Sequence, residues 1–164
     1  MKKMILLLIA CVFMMSCGRA FVFASADTGT LAEEIGRKSG WNMSGIYCEN
    51  VDQTFAFAFG ISAKEFDERV EKAVCLRETV DTKGRALYVF EADEANDALW
   101  LGEKIYASYE FAPCDVAEKM MIAVSGKYLM LFKSCASEAE NAVQVFRTLV
   151  GGTIRYKKEL NHRA

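Results

Sequence analysis

Histidine, the usual general base near neutral pH, occurs once in the chain, as His162, the third residue from the C-terminus. One imidazole at a chain end cannot complete a Ser-His-Asp or Cys-His constellation. The sequence also has no HExxH, no CxxC, no P-loop and no GxGxxG, so metalloprotease, thioredoxin-like, nucleotide and dinucleotide chemistry have no anchor in it. No catalytic residue, cofactor or metal ligand is assigned. Paired carboxylates could act as the acid and base of glycoside hydrolysis, and Glu33/Glu34, Asp93/Glu94 and Glu138/Glu140 supply three pairs. Each pair falls in the first turn of a predicted helix, where the helix dipole favours acids, so helix capping is the reading. A small carboxylate-dependent hydrolase of envelope polymers is its alternative.

Helical and strand periodicities set the elements that would carry these residues. Thr30-Leu31-Ala32-Glu33 is a capping box opening a helix that ends by Gly40, and Trp41–Asn50, rich in Asn, Ser and Gly, reads as loop. Phe55, Phe57 and Phe59 alternate with Ala56 and Ala58 and predict a strand with one aromatic face. Ser62-x-x-Glu65 is a second capping box, heading only a short turn. A unit then occurs twice. Val70–Thr79, a turn at Asp81–Gly84 and Arg85–Ala92 make a hairpin followed by a helix carrying Ala95, Ala98, Leu99, Gly102, Ile105 and Tyr109 inward; Val116–Val124, Ser125-Gly126 and Lys127–Ser134 repeat it before a helix opened by Ser137-x-x-Glu140 and closed by Gly151.

The fold expected is α+β: an antiparallel sheet with helices mainly on one face, built from two ββα pseudo-repeats after an N-terminal helix and strand. It forms a single domain over residues 27–150, with a basic C-terminal tail over 151–164. The repeated strands Arg85–Glu91 and Lys127–Phe132 are apolar on both faces, whereas a half-exposed antiparallel strand alternates apolar and polar residues. Either Phe55, Phe57 and Phe59 with the first helix cover the second face, or Tyr88, Phe90, Met130 and Phe132 form an open interaction face. In the second case the protein would be an accessory subunit docking a membrane-complex partner. A two-residue turn at Ser125-Gly126 would bring Cys114 and Cys135 near each other at the open end of the hairpin, one diagonal step out of register, as a disulfide. Cys48 and Cys75 remain by elimination.

Lys2 and Lys3 followed by the apolar run Met4–Met15 have the layout of an export signal and are too short for a confident membrane span. Two cleavage readings stand: a signal peptide over residues 1–26, cut after Ala24-Ser25-Ala26, or a lipoprotein signal over 1–16 with lipidation of Cys17. Removing residues 1–26 takes Lys2, Lys3 and Arg19 from the 20 basic residues and none of the 22 acidic ones, leaving a net charge of −5. That charge does not suggest a nucleic-acid partner. Arg155, Lys157, Lys158 and Arg163 after Gly151 could touch an anionic membrane surface, or simply be a solvated end.

The succession Gly60-Ile61-Ser62-Ala63-Lys64-Glu65-Phe66, Arg85–Ala92, Phe111-Ala112-Pro113, Val124-Ser125-Gly126-Lys127-Tyr128-Leu129 and a closing helix resembles, over about residues 28–150, the family of small exported Gram-positive proteins catalogued as domain of unknown function 4358. The resemblance implies an extracytoplasmic protein, commonly lipid-anchored, and transfers no catalytic residue. The expectation is an exported cell-envelope protein acting as a non-catalytic binding or structural module, secreted or held at the membrane as a lipoprotein.

Overall fold

A computed structural model describes residues 27–79 and 84–162; the leader, the Cys17 lipidation site and the Asp81–Lys83 part of the first turn lie outside them. Helix α1, Thr28–Lys38, starts two residues before the Thr30 box. It turns Leu31, Ala32 and Ile35 inward and ends with Arg37 and Lys38 in its last turn, where cations suit the helix dipole. Thr28 is buried, its hydroxyl donating to the Glu91 carboxylate. Segment Ile46–Asn50, read as loop, is instead strand β1.

The Phe55–Phe59 segment is not a strand. Asp52 accepts hydrogen bonds from the backbone N–H groups of Thr54 (2.9 Å) and Phe55 (3.2 Å), capping helix α2, Gln53–Ala56. A 3₁₀ turn over Phe57–Phe59 follows and ends at Gly60 with φ +71°. Helical spacing carries Ala56 and Phe59 into the core and leaves Phe57 83% exposed, so the Phe-Ala alternation never acts as a sheet face. The Ser62/Glu65 capping box is formed at the start of α3, Ala63–Asp67.

The two ββα units are present in the expected order: β2 (Val70–Glu78), β3 (Ala86–Ala92) and α4 (Ala95–Ser108), then β4 (Lys119–Ser125), β5 (Tyr128–Ser134) and α5 (Ala136–Val150). The closing helix begins after Cys135, so Ser137 lies inside it, and Gly151 at φ +65° ends it. Residues 156–161 of the expected basic tail form a further strand, β6 (Tyr156–Asn161). All pairings are antiparallel, in the order β1-β2-β3-β5-β4-β6.

The α+β antiparallel architecture is the expected one, but the helices lie on both faces rather than mainly on one. Beneath α4 and the 53–67 turns lie Cys75, Tyr88, Phe90, Met120, Ile122, Leu129 and Leu131. Beneath α1 and α5 lie Leu76, Leu87, Val89, Met121, Met130 and Phe132. The two units are therefore not superposable copies. A two-fold axis normal to the sheet carries the β2-β3 hairpin onto β4-β5, and would place both following helices on one face, yet α4 and α5 sit on opposite faces.

The proposed interaction face is overturned by the same layering. Tyr88 and Phe90 belong to one core, and Met130 and Phe132 to the other; Tyr88 is 8% exposed and the remaining three are fully buried. Phe59 packs edge-on against Tyr88 and Phe90, and Trp41 covers Phe132 at 5.5 Å. No docking surface exists there.

Neither expected disulfide is formed, and for Cys48 and Cys75 the strand register shows why. Cys48 stands opposite Leu76 and Glu49 opposite Cys75, so Cys48 and Cys75 point to opposite faces of the sheet. Burial pushes the Cys75 thiol up to about 12, which suppresses the thiolate. In the second hairpin Ser125 pairs with Tyr128, making Gly126-Lys127 the turn in place of Ser125-Gly126. Pairing ends at Lys119–Ser134, leaving Cys114 in the loop before β4 and Cys135 beyond β5, and the two are not bridged.

The two-core arrangement sets a contrast in stability. Phe132→Ala should cost about 3–5 kcal/mol, whereas Phe57→Ala should stay within about 0.5 kcal/mol, both read from urea denaturation. A small loss at Phe132 would contradict the assignment of that ring to a packed core.

Candidate binding groove

At the C-terminal end of α4 the chain stops being helical. Tyr109 takes an extended conformation (φ −74°, ψ 131°) while its N–H still reaches Ile105 O at 2.8 Å. The following residues run to the bottom of the sheet and turn where Asp115 N–H donates to Ala112 O at 2.9 Å. From the other side β6 ends beside this loop, and His162 N–H donates to Glu118 O at 2.8 Å. Between the two segments lies a groove of about 520 Å³ lined by Tyr109, Glu110, Phe111, Pro113, Leu160, Asn161 and His162.

An aromatic ladder joins this groove to the core. The His162 ring stacks on Phe111 (4.9 Å, 23°), Phe111 meets Tyr109 edge to face (5.3 Å, 81°), and Tyr109 stacks on Phe59 (5.9 Å, 25°), which in turn contacts Tyr88 and Phe90. Such ring pairs add about 0.5–1.5 kcal/mol each beyond area burial, so the groove wall is continuous with the packed interior. His162, read as part of a terminal tail, is half-buried at the end of a paired strand.

An ion pair holds the loop down. Lys133, at the end of β5, donates to Asp115, with side chains 15% and 9% exposed. Asp115 also accepts from Ala117 N–H at 3.1 Å. Burial pulls the Lys133 ammonium pKa down, but the bond to Asp115, the charge at Asp115 and the Tyr109 hydroxyl together leave it above the ordinary lysine value. Burial raises the Tyr109 hydroxyl, against the smaller pull of Lys133. Tyr109 is thus fixed by a ring on one side and an ammonium near its hydroxyl.

The predicted carboxylate pairs are not brought to this groove. Glu34 is held by Arg37 and Lys38, Glu138 by Arg85, and Glu140 by Lys157. Among the groove-lining residues Glu110 is the sole carboxylate. Among the described residues no group of three His, Cys, Asp or Glu side chains is placed to hold a metal ion, and no helix is long and apolar enough to cross a membrane. The basic residues of the C-terminal segment are partly engaged: Lys157 pairs with Glu140 at 2.7 Å and Lys158 lies over the Tyr106 ring at 5.4 Å. A smaller concavity of about 180 Å³ between α1 and α5 is lined by Lys38, Gln144, Val145, Thr148 and Leu149.

Sequence reasoning missed Tyr109, Glu110, Leu160 and Asn161 as lining residues. The two segments are some fifty positions apart and share no motif; the local signal was Phe111-Ala112-Pro113 directly after a helix stop. Comparison with known proteins finds no matching family model, no matching curated protein and no matching solved structure.

Lys133→Met would leave the Asp115 carboxylate buried without its cation and should cost about 3–5 kcal/mol in urea denaturation at neutral pH, with Lys133→Met/Asp115→Leu recovering much of it. Because the folded-state Lys133 value is raised, its contribution is complete below the unfolded value of about 10.4 and is lost as pH climbs through the folded one. Lys133→Met should therefore flatten part of the alkaline decline in stability; an unchanged profile would mean that the pair does not fasten the loop.

Proposed function

We propose that this protein is an exported cell-envelope module that works by binding, without catalysis, and that the groove between the 109–113 loop and the end of β6 is its ligand site. The observation that carries the reading is the groove itself: an aromatic-walled concavity, within the range of about 300–1,000 Å³ usual for ligand sites, built on a loop fastened by a buried ion pair. Export rests on the leader and on the resemblance of residues 28–150 to small exported Gram-positive proteins. Hydrolysis is less well supported, since glycosidases use two carboxyl groups about 5–9.5 Å apart and Glu110 has no second carboxylate among the lining residues.

Two measurements on protein recovered from a Gram-positive host test this. Intact mass should show either a diacylglyceryl group on Cys17 or a chain starting at Asp27; an unprocessed chain would sink export. The lipid-free domain from Asp27 onward should sediment with isolated cell envelopes, and Phe111→Ser should weaken that association about tenfold or more, the loss expected of an aromatic anchor. Equal binding by the variant would remove the groove from the function.

A further inference from the structure

The groove and the entry of the chain into the fold lie at opposite poles of the sheet. Asp27 pairs with Lys72 near the start of β2, and Thr28 is bonded to Glu91 at the end of β3, beside Tyr128 at the start of β5. The groove is at the other pole: β6 ends there opposite Lys119, the first residue of β4, and Lys133 near the end of β5 fastens its loop. β5 runs between the poles through seven residues, a separation of about 20 Å at a strand rise of about 3.3 Å per residue. Asp27, the first described residue, therefore lies at the pole away from the groove.

The lining chemistry narrows the ligand. Among the described residues no lysine or arginine lines the groove and its carboxylate is Glu110, so an anionic headgroup would meet a like charge there. A quaternary ammonium calls for ring faces turned towards one point; here His162 and Phe111 face each other, and Tyr109 is stacked on Phe59. Ring and proline surfaces beside one carboxylate and one amide, Glu110 and Asn161, suit a neutral ligand that is apolar on one face and hydroxylated at its edge. A sugar ring is such a ligand: its C–H face rests on apolar wall while its hydroxyls donate to the carboxylate and amide oxygens.

We infer that the groove binds a neutral glycan of the cell wall, at the pole turned away from the membrane when the chain is anchored through its leader. This rests on the proposed envelope-binding function and goes further in naming the ligand class and the side from which it is met.

The test uses the full chain in a Gram-positive host, with photoreactive benzoylphenylalanine replacing either Ala112, exposed beside the groove, or Asp93, exposed at the opposite pole. Irradiation of intact cells should link position 112, and not position 93, to material released by muramidase. A soluble chitooligosaccharide should suppress that link and bind the purified exported protein, with affinity reduced about tenfold or more by Phe111→Ser. Equal capture at 93 and 112 would overturn the polarity while leaving envelope binding intact. Capture at 112 of lipid or protein alone, or no effect of chitooligosaccharide, would overturn the glycan assignment. Failure of the lipid-free domain from Asp27 onward to sediment with envelopes would remove the underlying function, and the inference with it.

Discussion

β3 and β5 lie side by side at the centre of the sheet, and between them they have no face that water could solvate. Leu87, Val89, Met130 and Phe132 project to one side, Tyr88, Phe90, Leu129 and Leu131 to the other, and all are buried. Antiparallel sheets usually keep one polar face; a pair apolar on both must be covered twice. A single helical layer would leave several large side chains in water, each worth about 1.5–3 kcal/mol of burial. This constraint sends α4 to one face and α1 with α5 to the other. It also recruits α2, the 3₁₀ turn and α3, since α4 leaves the β2 end of its face to Phe59, Ile61 and Phe66.

Polar contacts between distant segments sit at the margins of these layers. Glu91 joins α1 through Thr28 and the β5 turn through Lys127. Burial raises the Glu91 carboxyl, and the bonds from Lys127 and Thr28 outweigh it, holding the group below the ordinary range. Arg85 spans Glu78 and Glu138, tying the first hairpin to the start of α5. Pairs with this partial exposure add little to stability singly. What they do is join particular segments, α1 to β3 and β5, and the first hairpin to the start of α5.

The features legible in the sequence were those encoded locally: the ββα order, the Ala98, Gly102 and Ile105 face of α4 (though Leu101, and not Leu99, is its buried leucine), the Ser62/Glu65 box and the Gly151 stop. Facing was not, because it depends on register. Residues of β3 and β5 that stand opposite one another have numbers with an odd sum, as in Leu87 with Phe132, so odd positions of one strand share a face with even positions of the other. The repeat relates Gly84 to Gly126, an even offset, and therefore puts equivalent residues on opposite faces. This is why Tyr88 and Phe90 could not join Met130 and Phe132. Edge strands β1 and β6 were illegible for another reason: each has a single neighbour and largely exposed side chains, which erases the alternation that reveals a strand. Phe55–Phe59 carried alternation without a partner strand, and the Asp52 cap decided its helical form.

The groove depends on the same constraint that builds the core. Tyr109 ends α4 because Phe59 offers it a ring and Lys133 a charged group near its hydroxyl; Phe111 then has Tyr109 to pack against, and His162 has Phe111. Each ring is positioned by the one deeper in the protein, back to Tyr88 and Phe90 in the sheet. A wall assembled in this way has little freedom left to lose, which is the condition under which the proposed ligand would be bound at low ordering cost. The buried Lys133–Asp115 pair belongs to this logic, for it closes the far end of the loop whose near end the ladder holds. Rigidity supplied from both ends makes a loop with no secondary structure of its own a suitable wall for a binding site.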